Sequence, residues 1–441
     1  MEKQNKFVKD MTKGNPMQLL IQFSLPLLVG NIFQQLYNMV DSIIVGNFVG
    51  ANALGAIGTT NSLNFFFFSL VAGLSVGIGI IVAQYFGFGD EEKVKDAIGN
   101  SIWIITICSV IMAIIGFVTA RPILVLLDTD PVILNDAVAY LKVVSIGIVC
   151  VGFYNGVSGI LRALGDSKTP LIFLIVASVL NVILDLIFVL SFGWGVVGAG
   201  VATAFSQLIS ALACIIYAYK SNTYFKLKKK NIKLNGNIIK KSCKLGIPVA
   251  LQNSLIAFSL IVLQKVVNGY GATFTTAFTV VSRIETLVQQ PFMSLGAAVS
   301  TYTGQNIGAG LKDRVRKGFN SATLVSSIFA LAIGVVFWIF APSIASIFGK
   351  DADVIRIGAN GLRITCCFYI FLGLIYTTRN VLNGAGDAMF SLFTGIVECI
   401  GRVGFAYPKN IPCKTTYDGA YVWKIWCIFC NRTYMVLKWY V

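Results

Sequence analysis

The chain has 441 residues, of which 56% are hydrophobic and only 12% are charged, and its mean hydropathy is +0.77. A soluble protein of this length cannot bury so much apolar surface, so lipid must be the solvent for most of the chain. The net charge of +16 does not indicate nucleic acid binding, because Lys and Arg lie mostly between apolar runs, and the absence of His removes the commonest general base and metal ligand.

Apolar runs of roughly 20 to 25 residues, separated by Gly, Pro, Asn and charged residues, predict one membrane crossing each. Lipid offers no partner to an unpaired backbone group, so these runs form helices. The basic N-terminus precedes a long apolar run with no small-residue cleavage site, so we expect the first helix to stay in the membrane. The predicted helices lie at 17–46, 53–84, 97–119, 137–163, 170–192, 196–219, 245–269, 275–305, 318–341, 360–383 and 388–406.

The connecting segments alternate in their content of Lys and Arg. By the positive-inside rule, the chain is a multi-pass protein of the cell membrane with a cytoplasmic N-terminus. The loops 47–52, 191–195 and 269–273 carry no Lys or Arg. The segments rich in Lys and Arg are 1–13, 93–95, 162–168, 220–244 and 312–317.

Three pairs of motifs recur at a nearly constant spacing, which indicates that a six-helix unit is duplicated. An even number of helices gives both copies the same orientation, which is a common transporter plan with a central cavity between two lobes. The pairs are 84–89 with 305–310 and 163–166 with 384–387, both 221 residues apart, and Pro26 and Asn31 with Pro248 and Asn253, 222 residues apart.

The repeat divides the chain into an N-lobe with helices 1–6 (1–219), a basic cytoplasmic linker (220–244) and a C-lobe with helices 7–11 (245–406). A twelfth helix should follow, yet the tail 407–441 has no comparable apolar run. We expect a reading-frame shift near Tyr407, so that the last helix is lost or altered. A genuine but unusual terminus is the alternative.

Charged residues inside a bilayer are costly, so each one marks a candidate site. Asp41 lies roughly 8 Å below the outer surface on helix 1, and Asp185 roughly 10 Å deep on helix 5. Thr203 on helix 6 reaches roughly the same level as Asp185. Asn181 and Tyr37 lie one turn before the two acids. The sequence therefore predicts that these five side chains meet inside the N-lobe.

Two carboxylates with an amide and a hydroxyl form an all-oxygen cluster that suits a hard monovalent cation or a proton shared between acids. The alternative is that each Asp caps a neighbouring helix or pairs with backbone, and that Tyr37 only packs. We expect no cofactor and no further metal site. The chain has no nucleotide-binding signature, so we expect the energy for transport to come from an ion gradient or from the solute itself.

Further polar residues and prolines give weaker signals. Arg283 and Glu285 on helix 8 are candidates for lining a C-lobe cavity. Glu398 and Arg402 are one turn apart, which fits a structural ion pair as well as a functional one. Pro26 and Pro248 kink the first helix of each lobe, either as hinges of a rocking transporter or as packing kinks.

Taken in order, these motifs resemble the multidrug and toxic compound extrusion (MATE) transporters, in particular their DinF-like prokaryotic branch, over residues 15–405. The motifs that carry the resemblance are Pro26 with Asn31, Val40-Asp41, Arg-Ala-Leu-Gly-Asp at 162–166, Asn181-x-x-x-Asp185 and Gly-Gln-Asn-Ile-Gly-Ala-Gly at 304–310.

This resemblance implies an all-α protein of twelve helices in two lobes, which exchanges organic cations for Na⁺ or H⁺. In DinF-like members, residues matching Asp41, Asn181, Asp185 and Thr203, with Tyr37 close by, form the cation site. NorM-like members instead use acids on helices 7 and 10. Here helix 7 offers Gln252 and Asn253, and helix 10 has no acid between 360 and 383.

We therefore predict a monomeric antiporter that exports small, organic, cationic substrates and is not an enzyme. The first rival is a lipid-linked-precursor or polysaccharide flippase of the same superfamily, which would carry more helices and a cluster of cavity arginines. A membrane enzyme or a channel is the second rival. Against both stand the absence of His, of paired catalytic motifs and of a repeated filter sequence.

Overall fold

The computed structural model describes residues 8–347 and 351–406, and within these residues all regular structure is helical. The predicted all-α fold is confirmed. The tail 407–441, with its predicted frame shift, lies outside the described residues. The twelve α-helices of the described part are α1 Pro16–Phe48, α2 Ala51–Phe88, α3 Glu91–Leu126, α4 Pro131–Ala163, α5 Lys168–Asp185, α6 Gly195–Ser221, α7 Gly236–Asn268, α8 Ala272–Gly308, α9 Lys312–Ser346, α10 Ala352–Cys366, α11 Tyr369–Ala385 and α12 Met389–Ala406.

Eight of these helices are long and apolar enough to cross a membrane within the described residues, and the pair α10 and α11 makes a ninth span with a 51° bend. The bent pair replaces the single helix predicted at 360–383. α8 has 37 residues and returns the chain between the spans α7 and α9, so it also crosses. A π-helix at Leu186–Ser191 continues α5.

Polar caps extend several helices beyond the apolar runs that predicted them. Asp90 accepts a hydrogen bond from Lys93 N at 3.0 Å, so α3 begins at Glu91. Asn235 accepts from Asn237 N at 3.1 Å, so α7 begins at Gly236. Such a cap contributes about 1 kcal/mol. Part of the predicted linker 220–244 is therefore the first turns of α7.

The helix α1 packs in two different cores. Its first half, including Leu20 and Phe23, is buried against Val299 and Tyr302 of α8 in the C-lobe. Its second half, with Val45 and its neighbours, is buried with residues of α2, α4 and α6 in the N-lobe. In the same way, the first half of α7 is buried in the N-lobe core. The leading helix of each lobe thus connects both lobes.

The two lobes meet along a seam between α2 and α7. A Cβ added to Gly73 would lie 2.5 Å from the backbone of Ala250, and one added to Gly77 would lie 2.5 Å from Gly246 N. Small residues of this kind allow membrane helices to pack closely. Among the described residues, the side-chain hydrogen bonds between the lobes all lie in one half of the helix bundle. This half extends from the level of Ser69 to the end of the bundle at which α1 begins. The lobes are therefore joined on that side.

Candidate functional site

Three elements of the N-lobe hold the predicted acid pair. Apolar residues of α1, α2, α4 and α6 form one buried cluster around the end of α5. This packing brings Asp41 of α1 next to Asp185, the last residue of α5 before the π-helix begins. A π-helix widens the backbone turn, and such turns occur often at functional sites. Thr203 of α6, the third element, lies beside the acid pair.

The five predicted side chains lie together. The carboxyl groups of Asp41 and Asp185 are within hydrogen-bonding reach of each other. With its amide turned to suit its neighbours, Asn181 donates from Nδ2 to Asp185 Oδ2 at 3.0 Å and accepts from Thr203 N at 3.2 Å. The Tyr37 hydroxyl is within hydrogen-bonding reach of the Thr203 side chain. The residues share one polar centre inside the lobe.

This polar centre has unused capacity to bind a cation. Asp185 and Asn181 are 0% and 1% exposed. One oxygen of each acid, Asp41 Oδ1 and Asp185 Oδ1, is buried without a hydrogen-bond partner in the described part of the chain. Two carboxylates in contact repel each other unless a proton or cation lies between them. The geometry therefore suits a shared proton or a small cation.

The charge of the centre limits which ion it can hold. Within the described residues, no group of three or more His, Cys, Asp or Glu could hold a metal ion. Two carboxyl groups with neutral amide and hydroxyl oxygens offer hard ligands and at most two negative charges. Such a set fits Na⁺ or a proton rather than a transition metal.

The structure adds Tyr140 of α4, which the sequence analysis missed. Tyr140 is buried in the cluster around the pair, and its hydroxyl lies in the field of Asp41, Asp185 and Tyr37. Its ring packs 3.5 Å from the position of a Cβ at Gly200, so the absence of a side chain there leaves it room. The helix predicted from the sequence starts at 137, which puts Tyr140 only about 4.5 Å deep and above the level of the pair, whereas α4 begins six residues earlier, at Pro131.

The predicted hinge prolines both lie inside continuous helices, Pro26 in α1 and Pro248 in α7. Each removes one backbone hydrogen bond and weakens its helix locally. Pro26 lies just before Asn31, which donates to Ser294 of the C-lobe at 3.1 Å. The proline therefore stands where α1 passes from one lobe to the other.

The C-lobe contains a network of half-buried charges. Arg379 of α11 binds Glu398 of α12 at 2.6 Å, and Glu398 lies 4.0 Å from Arg402. Arg402 also donates to Ser259 of α7 at 3.0 Å. With its amide turned to suit its neighbours, Gln252 accepts from Arg379 Nε at 2.7 Å. Arg379 was missed by the sequence analysis, because no local spacing links it to Glu398.

Of the other cavity candidates, Glu285 lies close enough to this network to interact electrostatically with Arg402. Glu285 is half-buried within hydrogen-bonding reach of Thr365, near the bend between α10 and α11. Arg283 is exposed, and Asn253 is half-buried. A C-lobe cavity lined by these residues stays a prediction.

The repeated motifs meet each other across the seam. Gln84 donates to the carbonyl of Gly384 at 3.0 Å, and Gln305, its counterpart in the repeat, donates to the carbonyl of Ala163 at 2.8 Å. Each glutamine thus ties its own lobe to the other. We call these two contacts the inner gate.

The N-terminal segment is bound into the inner gate on one side. Met11 is fully buried, and its backbone N–H donates to Gln305 Oε1 at 2.8 Å. Asn306 and Arg314 donate to the Met11 carbonyl at 3.2 and 3.3 Å. Gly165 of the N-lobe packs against Lys9 so closely that a Cβ there would collide with its backbone. The segment therefore touches both lobes at the gate.

Comparison with known proteins places this architecture among transporters. A sequence model of the MatE family matches the chain twice, over residues 26–187 and 248–407. The two matches begin 222 residues apart, which agrees with the repeat found in the sequence. Together they cover more than half of the chain.

Similar proteins match over nearly the whole chain. The probable multidrug resistance protein YpnP of Bacillus subtilis is 31% identical over 390 residues, which cover 88% of this chain and 87% of that protein. A solved MOP superfamily transporter from Pyrococcus furiosus is 25% identical with a TM-score of 0.90, covering 99% of this chain and 97% of its own. A structure described as the outward-facing conformation of a multidrug resistance MATE transporter has the same score, identity and coverage.

Proposed function

The chain belongs to the MATE family, and we propose that it is a secondary active antiporter that exports small organic cations in exchange for Na⁺ or H⁺. Family membership places it among transporters and not enzymes. Its relative YpnP is named a multidrug resistance protein, which supports drugs as the substrate class. A single chain supplies both lobes and the space between them, which supports a monomer as the working unit.

The observation that carries this proposal is the contact between the carboxyl groups of Asp41 and Asp185, each with a buried oxygen left free. A proton or Na⁺ between them neutralises the charge and lets α1 and α5 lie close together. Without the ion, the two charges push these helices apart. Ion binding therefore stabilises one arrangement of the lobes over another, and a ligand that binds the two arrangements unequally shifts their populations.

Alternating access follows from the position of the inner gate. The gate and the Lys-rich segments lie at the same end of the helices, and the positive-inside rule assigns this end to the cytoplasm of the cell. With this orientation, the described conformation is closed to the cytoplasm. Its similarity to an outward-facing relative supports the assignment. Transport then requires the gate to open and the outer halves to close.

A cationic substrate and a coupling ion are natural competitors. Both are attracted by Asp41 and Asp185. The protein therefore binds the substrate with high affinity only when the coupling ion has left, and the ion only when the substrate has left. Release of the ion to the cytoplasm and of the substrate to the outside completes one cycle. This competition requires no cofactor.

The proposal is tested by ethidium efflux in proteoliposomes of the full chain, driven by a Na⁺ gradient or a pH gradient. We expect Asp41→Asn to abolish gradient-driven efflux, because an amide neither binds the ion nor releases a proton. Asp136→Asn, which changes an exposed acid of α4, is the matched control and should retain full efflux. Unchanged efflux in Asp41→Asn would overturn the proposed coupling.

A further inference from the structure

The linker 220–244 is the most strongly charged part of the molecule. It contains nine lysines and no acidic residue. It runs from the end of α6 through the short 3₁₀ turn Thr223–Phe225 to the first turns of α7. The proposed transport cycle makes no use of these lysines.

Hydrogen bonds fix the linker to α3 of the N-lobe. Asn231 donates from Nδ2 to Asp96 Oδ1 at 2.7 Å, and Asn235 N donates to Asn100 Oδ1 at 2.8 Å. A Cβ at Gly99 would collide with the carbonyl of Asn231, so the linker lies directly on the helix backbone there. The linker therefore presents its remaining side chains in a fixed arrangement.

Apolar side chains project from the same stretch. The indole of Trp103 donates to the carbonyl of Ile232 at 2.8 Å, and Trp103 is 39% exposed. Beside it, Ile232 is 36% and Leu234 is 63% exposed. Tryptophan favours the interface between headgroups and acyl chains. An interfacial position of Trp103 would place Ile232 and Leu234 of the linker at the edge of the bilayer.

The neighbouring acids do not neutralise the lysines. At the start of α3, Asp90 pairs with Lys93 at 2.8 Å, and Glu91 pairs with Lys95 at 2.6 Å. Glu92 forms an ion pair with Lys230, which is the one linker lysine that forms an ion pair within the described residues. The exposed lysines that form none there are Lys220, Lys226, Lys228, Lys229, Lys233, Lys240, Lys241 and Lys244.

We propose that the linker is a binding surface for anionic phospholipids of the adjacent leaflet. Its lysines would bind the headgroup phosphates, while Trp103, Ile232 and Leu234 would contact the acyl chains. Basic residues next to a membrane surface attract anionic lipid headgroups. A soluble polyanion such as RNA would bind the lysines but not the exposed apolar side chains beside them. Anionic lipid binds both the lysines and the apolar side chains, so lipid is the partner that fits.

The test uses the fluorescence of Trp103 in a full-length variant whose other five tryptophans are replaced by Phe. The protein is reconstituted in equimolar phosphatidylglycerol and phosphatidylcholine, with bromine on the acyl chains of one lipid or the other. We expect quenching to report about threefold or greater enrichment of phosphatidylglycerol at Trp103. The triple variant K228Q/K229Q/K233Q should lose this enrichment.

Two controls separate charge from fold. K228R/K229R/K233R keeps the charge and should keep the enrichment. K312Q/R316Q/K317Q removes the same charge from exposed positions at the start of α9 and should leave quenching of Trp103 unchanged. Equal quenching by both lipids, or enrichment that survives K228Q/K229Q/K233Q, would overturn the proposal. Binding of a short RNA by the detergent-purified chain without any lipid preference would also overturn it.

Discussion

At the scale of single residues, Asn181 holds Asp185 of the acid pair in place. Its amide donates to Asp185 and accepts from the backbone of Thr203, so it links α5 to α6 and fixes one of the four carboxyl oxygens of the pair. The oxygens that remain free are Asp41 Oδ1 and Asp185 Oδ1. The amide thus fixes the orientation of the Asp185 carboxyl group without adding charge.

We expect Asn181→Ala to lower the apparent affinity for the coupling ion about tenfold or more, because a hydrogen bond to a charged group contributes about 1.5–3 kcal/mol. The measurement is the efflux rate as a function of Na⁺ concentration or pH across the proteoliposome membrane. Ser178→Ala is the control, since Ser178 lies on the same helix and, within the part of the chain that the structure describes, its hydroxyl donates only to Leu174 O. An unchanged affinity in Asn181→Ala, or an equal loss in the control, would contradict this role.

The sequence predicted the members of the acid pair because helix rise converts position in a run into depth. Asp41, Asp185 and Thr203 could be placed at one level in this way, and the structure brings them together. Sequence spacing could not find partners that meet only through packing. Arg379 binds Glu398 from another helix, whereas local spacing offered only Arg402 as its partner.

At the scale of elements, α1 and α7 are the helices that any movement between the lobes must bend or shift. The first half of each is buried in the core of the opposite lobe. A rigid rotation of one lobe would strain such a helix along its length. A weak point near the crossing, where Pro26 or Pro248 removes a backbone hydrogen bond, lets the two halves follow different lobes.

Replacing Pro26 by Ala should restore the missing hydrogen bond and stiffen α1. We expect a severalfold lower turnover of efflux, with ion and substrate binding retained, because the change affects the movement and not the site. Turnover is measured in proteoliposomes and binding in detergent. Pro122→Ala, near the C-terminal end of α3, is the control and should keep normal turnover. Normal turnover in Pro26→Ala would show that the proline is only a packing kink.

The sequence located the helices well but not their ends or their breaks. Apolar runs mark the part of a helix inside lipid, whereas caps such as Asp90 and Asn235 carry the helix into water. The bend between α10 and α11 could not be predicted from the sequence, since residues 360–383 contain no proline to mark it. Packing against α8 and α9 decides such a break, and packing cannot be read from one run.

At the scale of the whole molecule, the inner gate joins two copies of one motif. Gln84 and Gln305 each reach the backbone of the opposite lobe, so the duplication of the chain produces a nearly symmetric closure. The N-terminal segment breaks the symmetry, because Met11 bonds to Gln305 and its neighbours Asn306 and Arg314, whereas no such bond to Gln84 occurs within the described residues. The repeat found in the sequence therefore indicates where the lobes touch as well as how they arose.

We expect Gln305→Ala to open the gate, because it leaves the Met11 N–H and the Ala163 carbonyl without partners at about 1–3 kcal/mol each. The population with an open inner gate should rise tenfold or more. Spin labels on Lys229→Cys and Lys317→Cys, in a background without native cysteines, would report it as a longer distance. Gln290→Ala is the control, since this buried glutamine bonds within α8. An unchanged distance distribution in Gln305→Ala would show that the glutamine does not hold the gate.

The central claim is that Asp41 and Asp185 together hold the ion that a substrate displaces. The most direct measurement is the release of bound ion when tetraphenylphosphonium binds to the purified, detergent-solubilised full chain. The account predicts release of about one proton or one Na⁺ per protein in the wild type, and none in Asp41→Asn or Asp185→Asn. Equal release in Asp41→Asn or Asp185→Asn, or substrate binding to the wild type with no ion released, would contradict it.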